Sequence, residues 1–527
     1  MTYTSILYLI IFLPGVILLY QLAPVRHRYK VLLGASWLFF LSLSGKLIVY
    51  LLISTLSVHH IGLWLSSCKK ELDLTGTSAD EKKALKAACA GKRRRILWFG
   101  MGIQLGMLVI LKYSGFFSDN INHILKAVSY PNLLPAMRFA LPIGISFYTL
   151  QAVSYLADVY FEKIPADDHL GRLALYLTFF PILMEGPICR YSQTAGALTE
   201  GKPLEYKNVT YGFQRILWGL FKKLVIADRL NLLVETVFGS YNQYGGIIVI
   251  AGAILYTFQL YADFSGCIDM TIGTGEIFGI SIPENFRQPF FSKSPSEFWR
   301  RWHITLGTWL KDYIFYPISL TSPVKKFGKN SRAKLGKHLG QVVATSPALF
   351  GVWICNGFWH GTGWHYLFFG MYYFVLILLE NVTEPFVVKA AEKLKINRSS
   401  LIYRSFQSVK LLIIVFTGEL FFRAETLTAG FSMFRSIFTG FQLSSLTDGS
   451  LLQLGLALPD YTAVSLGFLA VLAVGVIHER GISIRDKLSG YKLPVRWSLY
   501  YGAILLVIVL GAYGDGYLPA KLIYAGF

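Results

Sequence analysis

An all-α integral membrane fold, with about ten to twelve spans, re-entrant segments and interfacial helices, is what three features of the sequence predict. Hydrophobic residues make up 54% of the 527-residue chain and charged residues only 15%, a balance outside that of water-soluble domains. Apolar runs approaching about 20 residues, the length that crosses a hydrocarbon core, recur along it. The basic residues behind the net charge of +20 sit in short loops between those runs. That is the positive-inside pattern, so the charge signals membrane placement and no nucleic acid. Attraction for anionic headgroups or a phosphate-bearing donor is a secondary consequence.

Residues 4–22 have no basic stretch before them and no small-residue cleavage site after them, and read as a retained span, not a signal peptide. Spans follow at about 31–44 and 46–66. Arg26, Arg28 and Lys30 in one loop, and nine Lys or Arg against four acids between Lys69 and Arg95 in another, put both loops in the cytoplasm and the N-terminus outside. Further spans are expected at about 96–112 and 139–160. Residues 173–192 contain Pro181, Gly186 and Pro187, which interrupt a helical ladder. They read as a re-entrant segment lining a cavity, with Glu185 and Arg190 at its polar end, since irregular backbone survives at membrane depth only under cover of protein or water.

Residues 211–238 read as an amphipathic or tilted helix carrying Arg215, Lys222, Lys223, Asp228 and Arg229. A span at 246–264 ends in Y-A-D-F-S-G, where Asp263 either caps a turn at Ser265-Gly266 or orients a catalytic ring. Over 294–316, Ser294, Pro295 and Glu297 form a capping box with Pro at the first helical position. Phe298, Trp302, Leu306, Trp309 and Tyr313 then recur at helical spacing, predicting one interfacial helix with Arg300, Arg301 and Lys311 on its polar side. His303 beside that stripe is either a packed, snorkelling ring or a catalytic one.

The basic loops 321–338 and 389–404 are expected in the cytoplasm. Between them, apolar runs at 340–358 and 364–379 make a helical hairpin with His360 at its crest, in C-N-G-F-W-H-G-T-G-W from Cys355. A fully charged side chain near a helix centre costs about 2.5 to 3.5 kcal/mol. A neutral imidazole escapes most of that and still takes a proton near pH 7. His360 thus reads as a general base or acid, or as a ring that bonds a backbone carbonyl to hold the turn; loop charges push it toward the outer face. Spans at about 405–422, 461–477 and 497–513 follow. The chain is one polytopic domain, 1–527, with N-terminal spans to 112, a core at about 140–385 and C-terminal spans from 386. Its five cysteines show no CxxC pairing, which indicates neither a disulfide framework nor a zinc or other metal site.

F-Q-L-Y-A-D-F-S-G-C-I-D-M from Phe258, P-E-N-F-R-Q-P-F from Pro283, E-F-W-R-R-W-H-I-T-L-G-T-W-L-K-D-Y from Glu297 and F-W-H-G-T-G-W from Phe358 together resemble membrane-bound O-acyltransferases. Within that family they are most similar to the bacterial alginate O-acetylase membrane subunits. F-F-P-I-L-M-E-G-P-I-C-R-Y from Phe179, F-F-R-A-E-T from Phe421, G-A-Y-G-D-G-Y and the closing L-I-Y-A-G-F fit the same subfamily. The likeness runs from about residue 140 to the end. It implies a helical core around a tunnel, with the family's essential His at His360 and its second polar position at His303. Asn356, Trp359, Asp263, Arg300, Arg301, Trp302 and Lys311 are candidate supporting or substrate-binding residues.

The resemblance further implies an acyl thioester donor, acetyl-CoA or another, on the cytoplasmic side and no permanently bound cofactor. It places the chain as a multi-pass protein among the lipids of the bacterial cytoplasmic membrane. The acetyl group would pass to a separate extracytoplasmic acetyltransferase of hydrolase-like type, working with polysaccharide synthesis machinery. In keeping with this, the chain has no G-x-S-x-G nucleophile elbow of its own. One departure stands out: where the family often has a G-x-x-H-G-like element, this chain has Gly370-Met371-Tyr372-Tyr373-Phe374. Either Tyr373 replaces a non-catalytic ring or the acceptor environment differs. Two rivals are D-alanyl transfer to teichoic acid on the same scaffold, and a transporter or flippase with His360 as proton relay. The latter predicts internal repeats, which the sequence lacks.

Overall fold

Helices are the only extended regular structure among the residues described by the computed structural model, which are 1–70, 78–131, 133–135, 137–513, 516, 517, 519 and 520. Helices satisfy their backbone groups within one segment, the condition lipid imposes. Eight helical stretches among these residues are long and apolar enough to cross a membrane. One of them, Val25–Lys69, is two helices, Arg28–Ser44 and Ile48–Lys70, broken at Gly45 with φ +51°. Eight is fewer than the ten to twelve expected, and the apolar stretch Leu7–Leu22 is shorter than a crossing helix. Residues 71–77 of the second basic loop, Gly514 and Asp515 of the G-A-Y-G-D-G-Y motif, and the closing run from Lys521 to Phe527 lie outside the described residues.

The chain divides into two compact units. The first comprises Met1–Phe213 and Met270–Pro283. Its helix Ile145–Tyr160 is buried from Ile145 to Val159 on every side. In place of the span expected at 139–160 stands this 16-residue helix, which begins at Ile145 and is too short to count among the crossing helices. Gly144 holds φ +72° and a Cβ there would sit 1.9 Å from the Leu183 carbonyl oxygen, so the chain turns into the helix only at this glycine. Residues 173–190 are buried without exception. They run through Leu170–Thr178, the short helix Phe180–Leu183 and an irregular stretch to Arg190. The groups freed at the break find partners: the Tyr3 hydroxyl lies 3.1 Å from the Phe180 and 2.8 Å from the Pro181 carbonyl oxygen, and the Phe180 N–H donates to Ser36 Oγ at 3.0 Å. The irregular backbone is thus covered by protein.

The second unit comprises, among the described residues, Gln214–Asp269 and Glu284 to Ala520. The expected amphipathic helix is a continuous helical rod, Tyr206–Leu220, a π-helical stretch Phe221–Ala227 and Asp228–Gly239. The wide π turn packs two successive lysines inward; Lys222 and Lys223 are each 3% exposed. Lys222 Nζ meets Asp269 at 2.6 Å, and Lys223 Nζ meets Asp228 at 2.8 Å and Asp263 at 2.7 Å. This overturns the cap reading of Asp263. The helix Gly246–Ile277 continues unbroken through Ser265 and Gly266, so no turn exists to cap, and the carboxylate answers a buried ammonium instead.

Two of the longest helices form the hairpin, Lys337–His360 and Trp364–Lys393. A Cβ at Gly357 would sit 2.7 Å from the Tyr366 carbonyl oxygen, and one at Gly370 would sit 2.4 Å from that of Trp353. Only glycine lets the two backbones approach this closely. The helix Leu401–Arg423 packs on the hairpin and completes the surroundings of its crest.

Candidate active site

The predicted single helix over 294–316 breaks at the residue of most interest. The start is as expected: Ser294 Oγ accepts from the Glu297 N–H at 3.3 Å and Glu297 Oε2 accepts from the Lys293 N–H at 3.0 Å. The helix Pro295–Arg301 then stops, Trp302 is extended, His303 is left-handed with φ +48°, and a new helix runs Ile304–Leu310. The cause is a second segment. Trp302 makes an isolated antiparallel bridge with Phe286, flanked by Arg287 N–H to Arg301 O at 2.9 Å and Ile304 N–H to Asn285 O at 3.0 Å. Histidine tolerates the left-handed region better than most residues, and the aromatic periodicity carried no sign of this tertiary override.

Asn285 holds the break. Its Oδ1 accepts from the Thr305 N–H at 3.0 Å and from the Thr305 hydroxyl at 2.9 Å, capping the new helix from a distant segment. The same oxygen lies 3.3 Å from His303 Nδ1. Because donation by Thr305 identifies the atom as the amide oxygen, Nδ1 is assigned the proton and Nε2 the lone pair. His303 is 1% exposed. It lies outside the membrane-spanning stretches, and burial lowers its pKa from 6.5 to about 3, opposed only by a backbone hydrogen bond. The ring is therefore neutral near pH 7 and presents a hydrogen-bond acceptor.

His360 is the last residue of its helix and is 3% exposed. Its ring meets Trp359 at 5.0 Å, Phe369 at 5.9 Å and Phe422 at 5.1 Å, all edge-on. The Trp359 indole also meets the His303 ring, at 5.3 Å. Two imidazoles 57 positions apart in sequence thus share one indole neighbour. Asn356, one helical turn before His360, is buried, and its Oδ1 has no hydrogen-bond partner among the described residues.

The remaining predicted residues divide. Trp302 belongs to the aromatic packing, stacked on Phe298 at 5.4 Å and tilted against Tyr261 at 6.0 Å. Asp263 stays with Lys223, and the next residue, Phe264, touches the His303 ring at 4.9 Å. Arg301 is engaged by Glu297 at 2.9 Å and by Glu479. Arg300 is exposed, and Lys311 is exposed with its Nζ 5.7 Å from the Tyr316 ring centre.

Two functional candidates escaped the sequence reading. Asn285 sat in the P-E-N-F-R-Q motif without a stated role. Glu419 is 1% exposed inside the span Leu401–Arg423, and an acid within a span is a signal by itself.

Fold and site define a multi-pass membrane protein in which two buried imidazoles, His303 and His360, share the indole of Trp359 as a neighbour. The sequence model of the membrane-bound O-acyltransferase (MBOAT) family matches residues 43–406, more than half of the chain. The chain belongs to that family and is an acyltransferase, which removes the transporter reading. It is 30% identical over 473 residues to the probable alginate O-acetylase AlgI of Pseudomonas aeruginosa, covering 88% of this chain and 81% of that one. It is 31% identical to the peptidoglycan O-acetyltransferase of Helicobacter pylori, over 52% of this chain and 53% of the relative. Similarity to the teichoic acid D-alanyltransferase of Bacillus subtilis is 29% identity over 46% of this chain and 59% of the relative. With its apolar helices, this makes it a multi-pass protein of the bacterial inner membrane.

Proposed function

We propose that the chain takes an acetyl group from a cytoplasmic thioester, acetyl-CoA or another, and passes it across the membrane for O-acetylation of an exported polysaccharide. His360 is the general base. It removes the proton of the acceptor hydroxyl as that oxygen attacks the thioester carbonyl; the C–S bond breaks and the imidazolium returns the proton to the leaving thiolate. His303, held neutral with Nε2 as acceptor, binds an N–H or O–H of the donor arm; it would stabilise an oxyanion only after taking a proton. Asn356 and Trp359 frame the crest. Arg300 and Lys311 suit donor phosphates, whereas Arg301 is already engaged by two carboxylates.

The observation that carries this reading is the buried His360 ring at a helix terminus, joined to His303 through Trp359. The extent of similarity favours acetyl over D-alanyl transfer, since the AlgI relative matches 88% of the chain and the D-alanyltransferase 46%. Because the chain has no nucleophile elbow, the acetyl group is handed to a separate extracytoplasmic hydrolase-like acetyltransferase beside the polysaccharide synthesis machinery. Transfer of radiolabelled acetyl from acetyl-CoA to exported polymer is the test. A folded His360→Ala protein is expected to lose it, and transfer at the normal rate by that variant overturns the assignment.

A further inference from the structure

The hairpin crest is bordered by polar atoms for which acyl transfer by His360 alone has no use. Glu419 lies on the helix Leu401–Arg423 and is 1% exposed, and its Oε2 has no hydrogen-bond partner among the described residues. Tyr373 is fully buried, and its hydroxyl likewise has none. The two belong together. A Cβ at Gly418 would sit 2.9 Å from the Tyr373 hydroxyl, which therefore rests on the helix backbone next to Glu419.

Both connect to His360 through the same rings. Phe422, one turn beyond Glu419, meets His360 at 5.1 Å and Phe369 at 4.9 Å, and Phe369 meets Tyr373 at 5.0 Å. Trp299, 4.9 Å from the Tyr373 ring, has an Nε1 that also lacks a partner among the described residues. Buried polar atoms are nearly always hydrogen-bonded in folded proteins, so a cluster of exceptions calls for a ligand.

The chemistry selects the ligand. A bare oxyanion can accept from the phenol and the indole but has no hydrogen to give Glu419 Oε2. An ammonium satisfies Glu419 but leaves the phenol and indole hydrogens unmet. An alcohol does both, donating its O–H to Glu419 and accepting from Tyr373 or Trp299, while the surrounding rings cover its carbon face. We infer that Glu419 and Tyr373 form a subsite that holds a hydroxyl-bearing acyl acceptor beside His360. This rests on the acyl-transfer reading above. It also accounts for the departure at Gly370–Phe374, where Tyr373 supplies a hydroxyl in place of an imidazole.

The experiment uses the full chain in lipid nanodiscs, with the conservative variants Glu419→Gln and Tyr373→Phe. Tryptophan fluorescence is titrated with methyl glucoside as alcohol probe, methylammonium as cation and acetate as anion. Methyl glucoside is expected to give a saturable change in the parent protein, weakened about ten-fold in each variant, the scale of one lost hydrogen bond to a charged or polar partner. Acetyl transfer to exported polymer should fall in parallel, while affinity for a thioether analogue of acetyl-CoA stays unchanged.

A response to methylammonium alone, no saturable response to the glucoside, or equal affinity in parent and variants overturns the subsite. So does a matching loss of donor-analogue affinity, which marks a structural role. His360→Ala should keep glucoside binding and lose transfer. If it keeps transfer, the base assignment fails while the binding titration still decides the subsite.

Discussion

Two groups of buried polar side chains in the same unit contrast sharply. Around the π turn every charge meets its opposite: Lys222 with Asp269 at 2.6 Å, Lys223 with Asp228 at 2.8 Å and Asp263 at 2.7 Å, Arg215 with Asp269 at 3.0 Å, and Arg229 with Asp460. Around the hairpin crest, Asn356 Oδ1, the Tyr373 hydroxyl and Glu419 Oε2 have no such partner among the described residues. Buried ion pairs roughly break even against desolvation and serve geometry. A buried polar atom left unmet costs about 1 to 3 kcal/mol, which a fold bears where a substrate supplies the missing bond. The ion pairs hold the scaffold together, and the unmet atoms at the crest stand where the acyl transfer is proposed.

The sharpest way to break this contrast is to remove one member from each side. His360→Ala should lower acetyl transfer by about 10² to 10⁴-fold, the usual contribution of a general base, with thermal unfolding in detergent unchanged. Lys223→Ala should do the reverse. It strands Asp263 and Asp228, for a loss of about 3 to 5 kcal/mol of stability, seen as a lowered unfolding midpoint. Transfer per folded molecule should hold. If Lys223→Ala folds normally and loses transfer, the network belongs to the chemistry after all.

Much of this architecture was legible in the sequence, because spans announce themselves by length and loop charge. The hairpin crest was legible too: Gly357 and Gly361 flank the one ionisable ring between two apolar runs. What stayed hidden was tertiary. The stripe Phe298, Trp302, Leu306 and Trp309 is periodic and all four are buried, so local pattern gave no hint that Asn285 and Phe286 split the helix between them. Asp263 looked like a cap because its lysine partner lies 40 residues earlier. Glu419 was visible as an acid inside a span, but its neighbours became known only when three helices were brought together.

A smaller effect separates the two imidazoles. Asn285→Leu removes the oxygen that takes three contacts at 2.9 to 3.3 Å. It should cost about 1 to 3 kcal/mol for the donors left unmet. The freed His303 tautomer should lower donor affinity more than the rate of the chemical step, measured as KM against kcat. The pH dependence carries a sign. His303 is held below its unfolded value of 6.5, at about 3, so below about pH 6.5 the unfolded chain binds the extra proton. Stability from this residue is full above that point and declines as the pH falls toward 3. His303→Gln should remove that part of the acid sensitivity in urea titrations at pH 5 and pH 7, while His360→Ala should leave it in place.

The smallest expected effect lies within one dipeptide and sharpens the distinction between paired and unpaired charge. Arg301 is locked between Glu297 and Glu479, whereas Arg300 is exposed. If phosphates of the donor approach here, Arg300→Gln should raise the KM for acetyl-CoA by a factor of about two to five, the scale of an exposed ion pair, and the difference should fade as salt is raised. Arg301→Gln, by contrast, should lower the unfolding midpoint and leave the salt dependence of KM intact, because its charge is already spoken for by the protein. An Arg300 variant with an unchanged, equally salt-dependent KM assigns that side chain to lipid headgroups instead.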